Sequence, residues 1–193
     1  MKSRALTPFE PVIIPTKSLT LRFLSEADLP AVYDIFSHPE VMRYWSYPPW
    51  TDRSQAKQWL TNVQEGYRTR NALQLGLERR ADHLLVGTCT LFQFDVTSRR
   101  AEIGYALARP YWGSGYMHEA LQALLHYAFQ RLDLNRLEAD IDPRNRASAK
   151  TLERLGFQKE GHLRERWIVN DEISDTWLYG LLRREWQERS SLG

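Results

Sequence analysis

Apolar residues recur along the chain with two periods, and the switches between them mark out the elements. Leu19-Thr20-Leu21-Arg22-Phe23 alternates apolar and polar, the pattern of a first strand. Ser25, with Asp28 three residues on as a shorter capping box, opens a helix whose apolar positions Leu29, Val32, Ile35 and Phe36 run to about Ser37. Residues 44–50, Tyr-Trp-Ser-Tyr-Pro-Pro-Trp, cannot be regular, because two consecutive prolines remove donors and fix the backbone. Thr51 or Asp52 caps a second helix reaching about Tyr67, with Ala56, Trp59, Leu60 and Val63 on its apolar face. Three strands follow, at Leu73–Glu78, Leu84–Phe94 and Ala101–Leu107. A glycine-bearing loop then leads into a helix from about Tyr116 to Leu132, striped by Leu121, Leu124, Leu125, Ala128 and Phe129. Arg136–Ile141 reads as a strand, and Asn145–Leu155 as a helix stopped by Gly156. Phe157–Val169 and Glu172–Leu182 form a terminal hairpin turning at Asn170-Asp171. The order β α α β β β α β α β β, seven strands and about four helices, predicts an α+β domain with a mixed sheet rather than a doubly wound one.

Length and composition narrow the class. The chain has 193 residues, the size of one domain, and 42% of them are hydrophobic, so residues 1–193 are expected to form a single unit. Basic and acidic side chains number 26 and 24, a balance that argues against a nucleic-acid partner. A single cysteine, Cys89, excludes an internal disulfide framework and reads as a core thiol. Met1 to Glu10 carries no signal-peptide core, and no apolar run approaches the ~18 residues of a membrane span, so a cytoplasmic protein with no membrane partner is the expectation. The five histidines show no ligand spacing, and no metal site is expected.

The candidate chemistry lies where the strand at 101–107 runs into Trp112-Gly113-Ser114-Gly115 and a helix start. Such a junction leaves backbone N–H groups pointing one way, at the positive end of the helix dipole, and can hold a phosphate or pyrophosphate without a lysine. The spacing fits neither a Walker loop nor G-x-G-x-x-G, since position 118 is His. By itself the loop is equally a tight turn that needs two positive φ angles.

Several motifs in one order go further. Ala101-Glu102-Ile103-Gly104-Tyr105-Ala106-Leu107, then Tyr111-Trp112-Gly113-Ser114-Gly115-Tyr116 and Glu119-Ala120-Leu121, resemble the central motif of the GNAT acetyltransferases. Asn135-Arg136-Leu137-Glu138-Ala139, Asn145-x-x-Ser148, Leu155-Gly156-Phe157, Glu160-Gly161-x-Leu163-Arg164 and Asp175-x-x-Leu178-Tyr179 continue the match, which spans about residues 17–186. More narrowly the chain resembles the Rim-type branch, which acetylates protein N-termini, ribosomal ones included.

The resemblance implies a GNAT fold whose central strands, 101–107 and 136–141, splay apart around the pantetheine of acetyl-CoA, the co-substrate. It implies that backbone groups of Gly104, Tyr105, Ala106 and Leu107 pair with the pantetheine amides. Trp112, Gly113, Ser114, Gly115 and Tyr116 would hold the pyrophosphate, and Asn145 and Ser148 would also contact the coenzyme. Glu102 matches the position of the general base, with Asp140 as the alternative carboxylate; a sheet carboxylate paired with Arg100 is its plain structural role. Ser148 matches the serine proposed to protonate the leaving thiolate, or it bonds a backbone carbonyl one turn back. The Leu107 N–H is the expected oxyanion donor. Two positions depart from the wider family: Pro110 replaces a Gln or Arg, and Leu152 replaces the usual acid Tyr. Direct transfer in a ternary complex to a primary amine follows, the acceptor being a protein N-terminus or a small amine such as an amino acid, polyamine or antibiotic. A homodimer is a further expectation. The competing function is a non-catalytic acyl-CoA-binding regulatory module.

Overall fold

The computed structural model describes residues 7–190, so both extremes of the expected 1–193 domain lie outside the described residues. One sheet runs through the molecule. Its strands are β1 (Ile13–Pro15), β2 (Leu19–Arg22), β3 (Ala72–Arg79), β4 (Leu85–Asp95), β5 (Arg100–Leu107), β6 (Arg136–Ile141), β7 (Gln158–Val169) and β8 (Glu172–Leu182). They lie in the order β1-β2-β3-β4-β5-β6-β8-β7. Six helices accompany them: α1 (Leu29–Ser37), α2 (Pro39–Met42), α3 (Arg53–Thr69), α4 (Tyr116–Gln130), α5 (Arg146–Leu155) and α6 (Arg183–Ser190).

The α+β class holds, and the counts grow. The eighth strand, β1, is a three-residue edge piece ending in Pro15, too short to show a period. α2 is a single turn begun by Pro39, with the His38 ring accepting from Glu40 N at 3.2 Å. Arg183-Arg184-Glu185-Trp186, beyond the last element the pattern predicts, is the start of α6. Its Trp186 ring lies 5.2 Å from that of Phe129. The caps act locally as read. Asp52 Oδ1 accepts from Ser54 N at 2.7 Å, while Gln55 Oε1 accepts from Asp52 N at 3.0 Å. The helix expected from Ser25 begins later, after a 3-10 turn at Glu26–Asp28.

Every pairing in the sheet is antiparallel except β5 with β6, which requires the crossover through α4. That exception is also the shortest central pairing. Only Arg100↔Arg136, Ala101↔Leu137 and Glu102↔Glu138 are matched. Beyond Glu102, β5 stays with β4 as far as Leu107↔Gly87, while β6 stays with β8 as far as Ile141↔Trp177. The two halves of the sheet therefore diverge from Glu102 onward. A bulge in β4 between Phe92 and Asp95, where Gln93 takes φ 50, bends the half that carries β5 at the same level.

Alternation sorts side chains onto two layers. Gly66 of α3 lies so close to Ala72 that a Cβ on it would sit 3.2 Å from the alanine's. Ala72 is paired with Phe92, and Phe92 with Glu102, so these three share the face covered by α3. Tyr105, an odd number of residues along, projects to the opposite face and meets α5. Leu73, Leu75, Leu91, Leu121, Leu124 and Phe129 are completely buried in the core.

Candidate active site

The divergence of β5 and β6 leaves backbone groups without strand partners. Ala108 N donates to Val86 O at 2.9 Å, so the residues in step with it, Ala106, Gly104 and Glu102, turn their backbone groups to β4. Ile103, Tyr105 and Leu107 turn theirs toward the gap. The Leu107 carbonyl is already engaged there, accepting from Trp112 Nε1 at 2.7 Å. The sequence expectation of a continuous run from Gly104 to Leu107 thus narrows to alternate residues. Gly104 and Ala106 contribute small side chains instead.

A cleft of about 510 Å³ opens from this gap. Glu102, Gly104, Tyr105, Asp140, Asn145 and Ser148 all line it, together with Trp45, Tyr47, Arg166 and Trp167. Glu102 accepts no hydrogen bond among the described residues. Its carboxyl is pushed up to about 7, by burial first and then by the charges of Asp140 and Glu138, against the pull of Arg166 and Arg100. The strand register explains this. Glu102 stands beside Glu138, and Asp140 follows two residues on along the same face. Arg100 and Arg136 both bond Glu138, each at 2.8 Å, so the arginine that could have paired with Glu102 is held elsewhere. Asp140 accepts from Thr176 Oγ1 at 2.9 Å.

On the other face, Asn145 caps α5, its Oδ1 accepting from Ser148 N at 3.1 Å. The Tyr105 hydroxyl lies 3.5 Å from the Ser148 carbonyl. Burial pushes the Tyr105 phenol up to about 12, against the opposing effect of the Ser148 side chain, so it stays protonated at neutral pH. Leu152 is fully buried in the core. Cys89 is also buried, and burial pushes its thiol up, so it is no nucleophile.

The glycine loop sits farther along, outside the cleft lining. Gly113 and Gly115 take φ 76 and 84, and a Cβ on either would meet nothing within 4 Å. The backbone conformation demands glycine there, while the space beside it is open. Ser114 Oγ donates to Tyr111 O at 2.6 Å and accepts from Tyr116 N at 3.3 Å, which fixes the entry into α4. Arg109 pairs with Glu40 at 2.9 Å and stacks over Trp112, tying this loop to α2.

Residues 39–50 form the roof over the cleft. Arg43 pairs with Glu172 at the hairpin turn, at 3.0 Å, and Arg144 bonds both Asp142 and Glu172. Trp45, Trp50 and Trp59 all pack on Phe36, so the aromatic run serves partly as core. Reading the sequence alone missed Arg166 and this ion cluster. Among the described residues, no group of three or more His, Cys, Asp or Glu could hold a metal, and no helix is long and apolar enough to cross a membrane.

Comparison with known proteins identifies the arrangement. Residues 18–158 match the acetyltransferase (GNAT) domain. The uncharacterized N-acetyltransferase p20 of Bacillus licheniformis is 37% identical over 171 residues, 89% of this chain and 96% of that protein. The [ribosomal protein uS5]-alanine N-acetyltransferase of Escherichia coli is 32% identical over 84 residues, 44% of this chain and 43% of the other. A GNAT acetyltransferase structure from Bacillus anthracis superposes with a TM-score of 0.81 at 25% identity, covering 90% of this chain and all of that one. The chain belongs to the GNAT acetyltransferases. It is an acetyl-CoA-dependent N-acetyltransferase that transfers the acetyl group to an amine.

Proposed function

We propose that Glu102 is the general base and that the acceptor is an α-amine, of a protein N-terminus or of a small amino compound. The observation that carries the reading is a half-buried carboxyl with no hydrogen-bond partner among the described residues, raised to about 7, on the wall of the cleft that opens from the splayed strands. Ammonium groups do not attack thioesters. A carboxylate of that basicity accepts the proton as the C–N bond forms and gives it up again to solvent.

The N–H groups of Tyr105 and Leu107, which have no strand partner among the described residues, and the open Gly113-Ser114-Gly115 turn fit the pantetheine and pyrophosphate of acetyl-CoA. When bound, the coenzyme supplies an activated acyl carbon and a thiolate that leaves readily, at thiol pKa ~8.5. Leu107 stands five residues beyond Glu102, about 16 Å along the strand. The oxyanion donor is therefore assigned to Tyr105 rather than Leu107. Ser148 faces the leaving sulfur, with the Tyr105 hydroxyl beside it. Ser148→Ala is expected to lower kcat about tenfold or less, since a thiolate needs little help, and to leave coenzyme affinity unchanged. A larger loss in kcat than in Glu102→Gln would reverse the two assignments.

The burial of the one thiol supports direct transfer in a ternary complex over an acyl-cysteine route. Steady-state thiol release over a panel of peptides, amino acids and polyamines tests the acceptor assignment, and polyamine-only turnover would contradict it. The cytoplasm, where a reduced Cys89 persists, is the proposed compartment. The outer edge of β7 has no further strand among the described residues, and its hairpin end carries Ile168, 69% exposed, opposite Ile173, 55% exposed. We assign this exposed apolar hairpin end to a homodimer. Sedimentation showing only the 22.7 kDa monomer at micromolar concentration would refute that assignment.

A further inference from the structure

The β7–β8 hairpin carries a distortion that the sheet itself does not need. Leu163 pairs with Thr176 and Trp167 with Ser174, so three residues of β7 stand opposite Asp175 alone. Glu165 takes φ 53, a left-handed conformation uncommon outside glycine. Asp175 holds it there, accepting from Glu165 N at 2.8 Å and pairing with His162 Nε2 at 2.7 Å. A bulge re-aims the side chains around it. Here the residue after Glu165 is Arg166, whose side chain lines the cleft.

Three arginines line that cleft, and two are engaged: Arg43 with Glu172, and Arg144 with Asp142 and Glu172. Arg166 makes no hydrogen bond among the described residues. Its Nε lies 3.9 Å from Asp140 Oδ2 and its guanidinium 5.5 Å from the Trp167 ring centroid. Asp140's other oxygen already accepts from Thr176. Apart from these, Glu102 and the long Asp140–Arg166 ion pair face the space, and the pair at 3.9 Å leaves the rest of the Arg166 guanidinium without a hydrogen bond among the described residues. That set complements a molecule with an amine at one end and an electron-rich oxygen close beside it. A second cation, as in a polyamine, would meet Arg166 instead.

We propose that Arg166 is a specificity-determining residue that hydrogen-bonds the oxygen carried next to the acceptor's amino carbon, so that α-aminoacyl compounds are selected over plain alkyl amines and polyamines. The oxygen is the carbonyl of an N-terminal residue or the carboxylate of a free amino acid. The inference rests on the reading of this cleft as the amine-acceptor site.

The test compares four acceptors with wild type, Arg166→Gln and Arg166→Lys: leucine, leucinamide, 3-methylbutylamine and spermidine. The first three share one side chain, suited to the aromatic wall, and differ in the group on the amino carbon, which is a carboxylate, a carboxamide or a hydrogen. The ratio of variant to wild type for each acceptor cancels differences in amine basicity. Arg166→Gln is expected to raise KM about tenfold or more for leucine and leucinamide, with kcat nearly unchanged. The other two acceptors should change less than about threefold. Lysine should restore leucine better than leucinamide, because it replaces the charge and not the planar fork. An equal change for all four acceptors would show that Arg166 acts only through the charge on Glu102, and would overturn the proposal. So would wild-type turnover confined to spermidine and 3-methylbutylamine, which leaves the acetyltransfer reading standing. No thiol release from any of the four, with coenzyme bound, would remove the reading of the cleft and the inference with it.

Discussion

Glu102→Gln is expected to slow acetyl transfer at pH 7 by about 10²–10³-fold while leaving the affinity for acetyl-CoA intact. The amide keeps the shape and volume of the carboxyl and removes its ability to take a proton. The pH dependence supplies the sharper signature. Burial and the neighbouring charges of Asp140 and Glu138 hold the Glu102 carboxyl at about 7, and only its ionised form is a base. Wild-type kcat/KM should therefore climb as pH rises toward 7 and level off above it, apart from the titration of the acceptor amine itself. In the Gln variant the limb near 7 disappears and the limb belonging to the amine remains. Stability should move the other way. A carboxyl whose folded pKa lies above its unfolded value favours the fold fully below the unfolded value, and that contribution is lost as pH rises through about 7. The Gln variant should then melt higher than wild type at pH 8 and show no such advantage at pH 4. An unaltered turnover with saturating acceptor at pH 7 would take the base role away from Glu102.

The second large effect concerns the coenzyme. Gly113→Val should raise the Kd for coenzyme A more than tenfold with kcat at saturating coenzyme little changed. At φ 76 a β-branched residue is strained by about 1–2 kcal/mol or more, and the loop relieves the strain by turning its N–H groups away. One lost interaction of about 1.4 kcal/mol is already a factor of ten. Because a Cβ at Gly113 would meet nothing within 4 Å, the folded core is untouched and Tm should stay close to wild type. Gly156 serves as the contrast. It has φ 99, but a Cβ there would sit 2.8 Å from Arg189 Cδ, so Gly156→Val should lower Tm and spare the coenzyme. Equal coenzyme affinity in Gly113→Val and wild type, by calorimetry, would mean that the loop is only a turn.

The parts of this fold that repeat a period were legible in the sequence. The long helices, the central strands and the hairpin turn at Asn170-Asp171, with φ 47 and 62, all stand where the pattern put them. What escaped has no period. β1 is three residues long, α2 is one turn, and α6 depends on Trp186 finding Phe129 across the chain. The bulges at Gln93 and Glu165 escaped for another reason. Gln93 and Glu165 take positive φ without being glycine, so nothing local announces them. They matter most at the site, since one bends the sheet beside Glu102 and the other turns Arg166 into the cleft. Glu102 itself could be named from the family motif. Its basicity could not, because it depends first on burial and then on the charges of Asp140 and Glu138, which stand beside it only once β6 lies beside β5.

The central claim is that one cleft between β5 and β6 takes the coenzyme from one face and the amine from the other, with Glu102 at the meeting point. A crystal structure with a conjugate of coenzyme A joined through an acetyl bridge to leucinamide tests it most directly. The account predicts pantetheine against Tyr105 and Leu107, pyrophosphate at Gly113–Gly115, and the amide nitrogen of the bridge within hydrogen-bond reach of Glu102, directly or through one water. A conjugate whose bridging nitrogen lies beside Asp140 and out of reach of Glu102, or whose pyrophosphate lies away from the glycine turn, would contradict it.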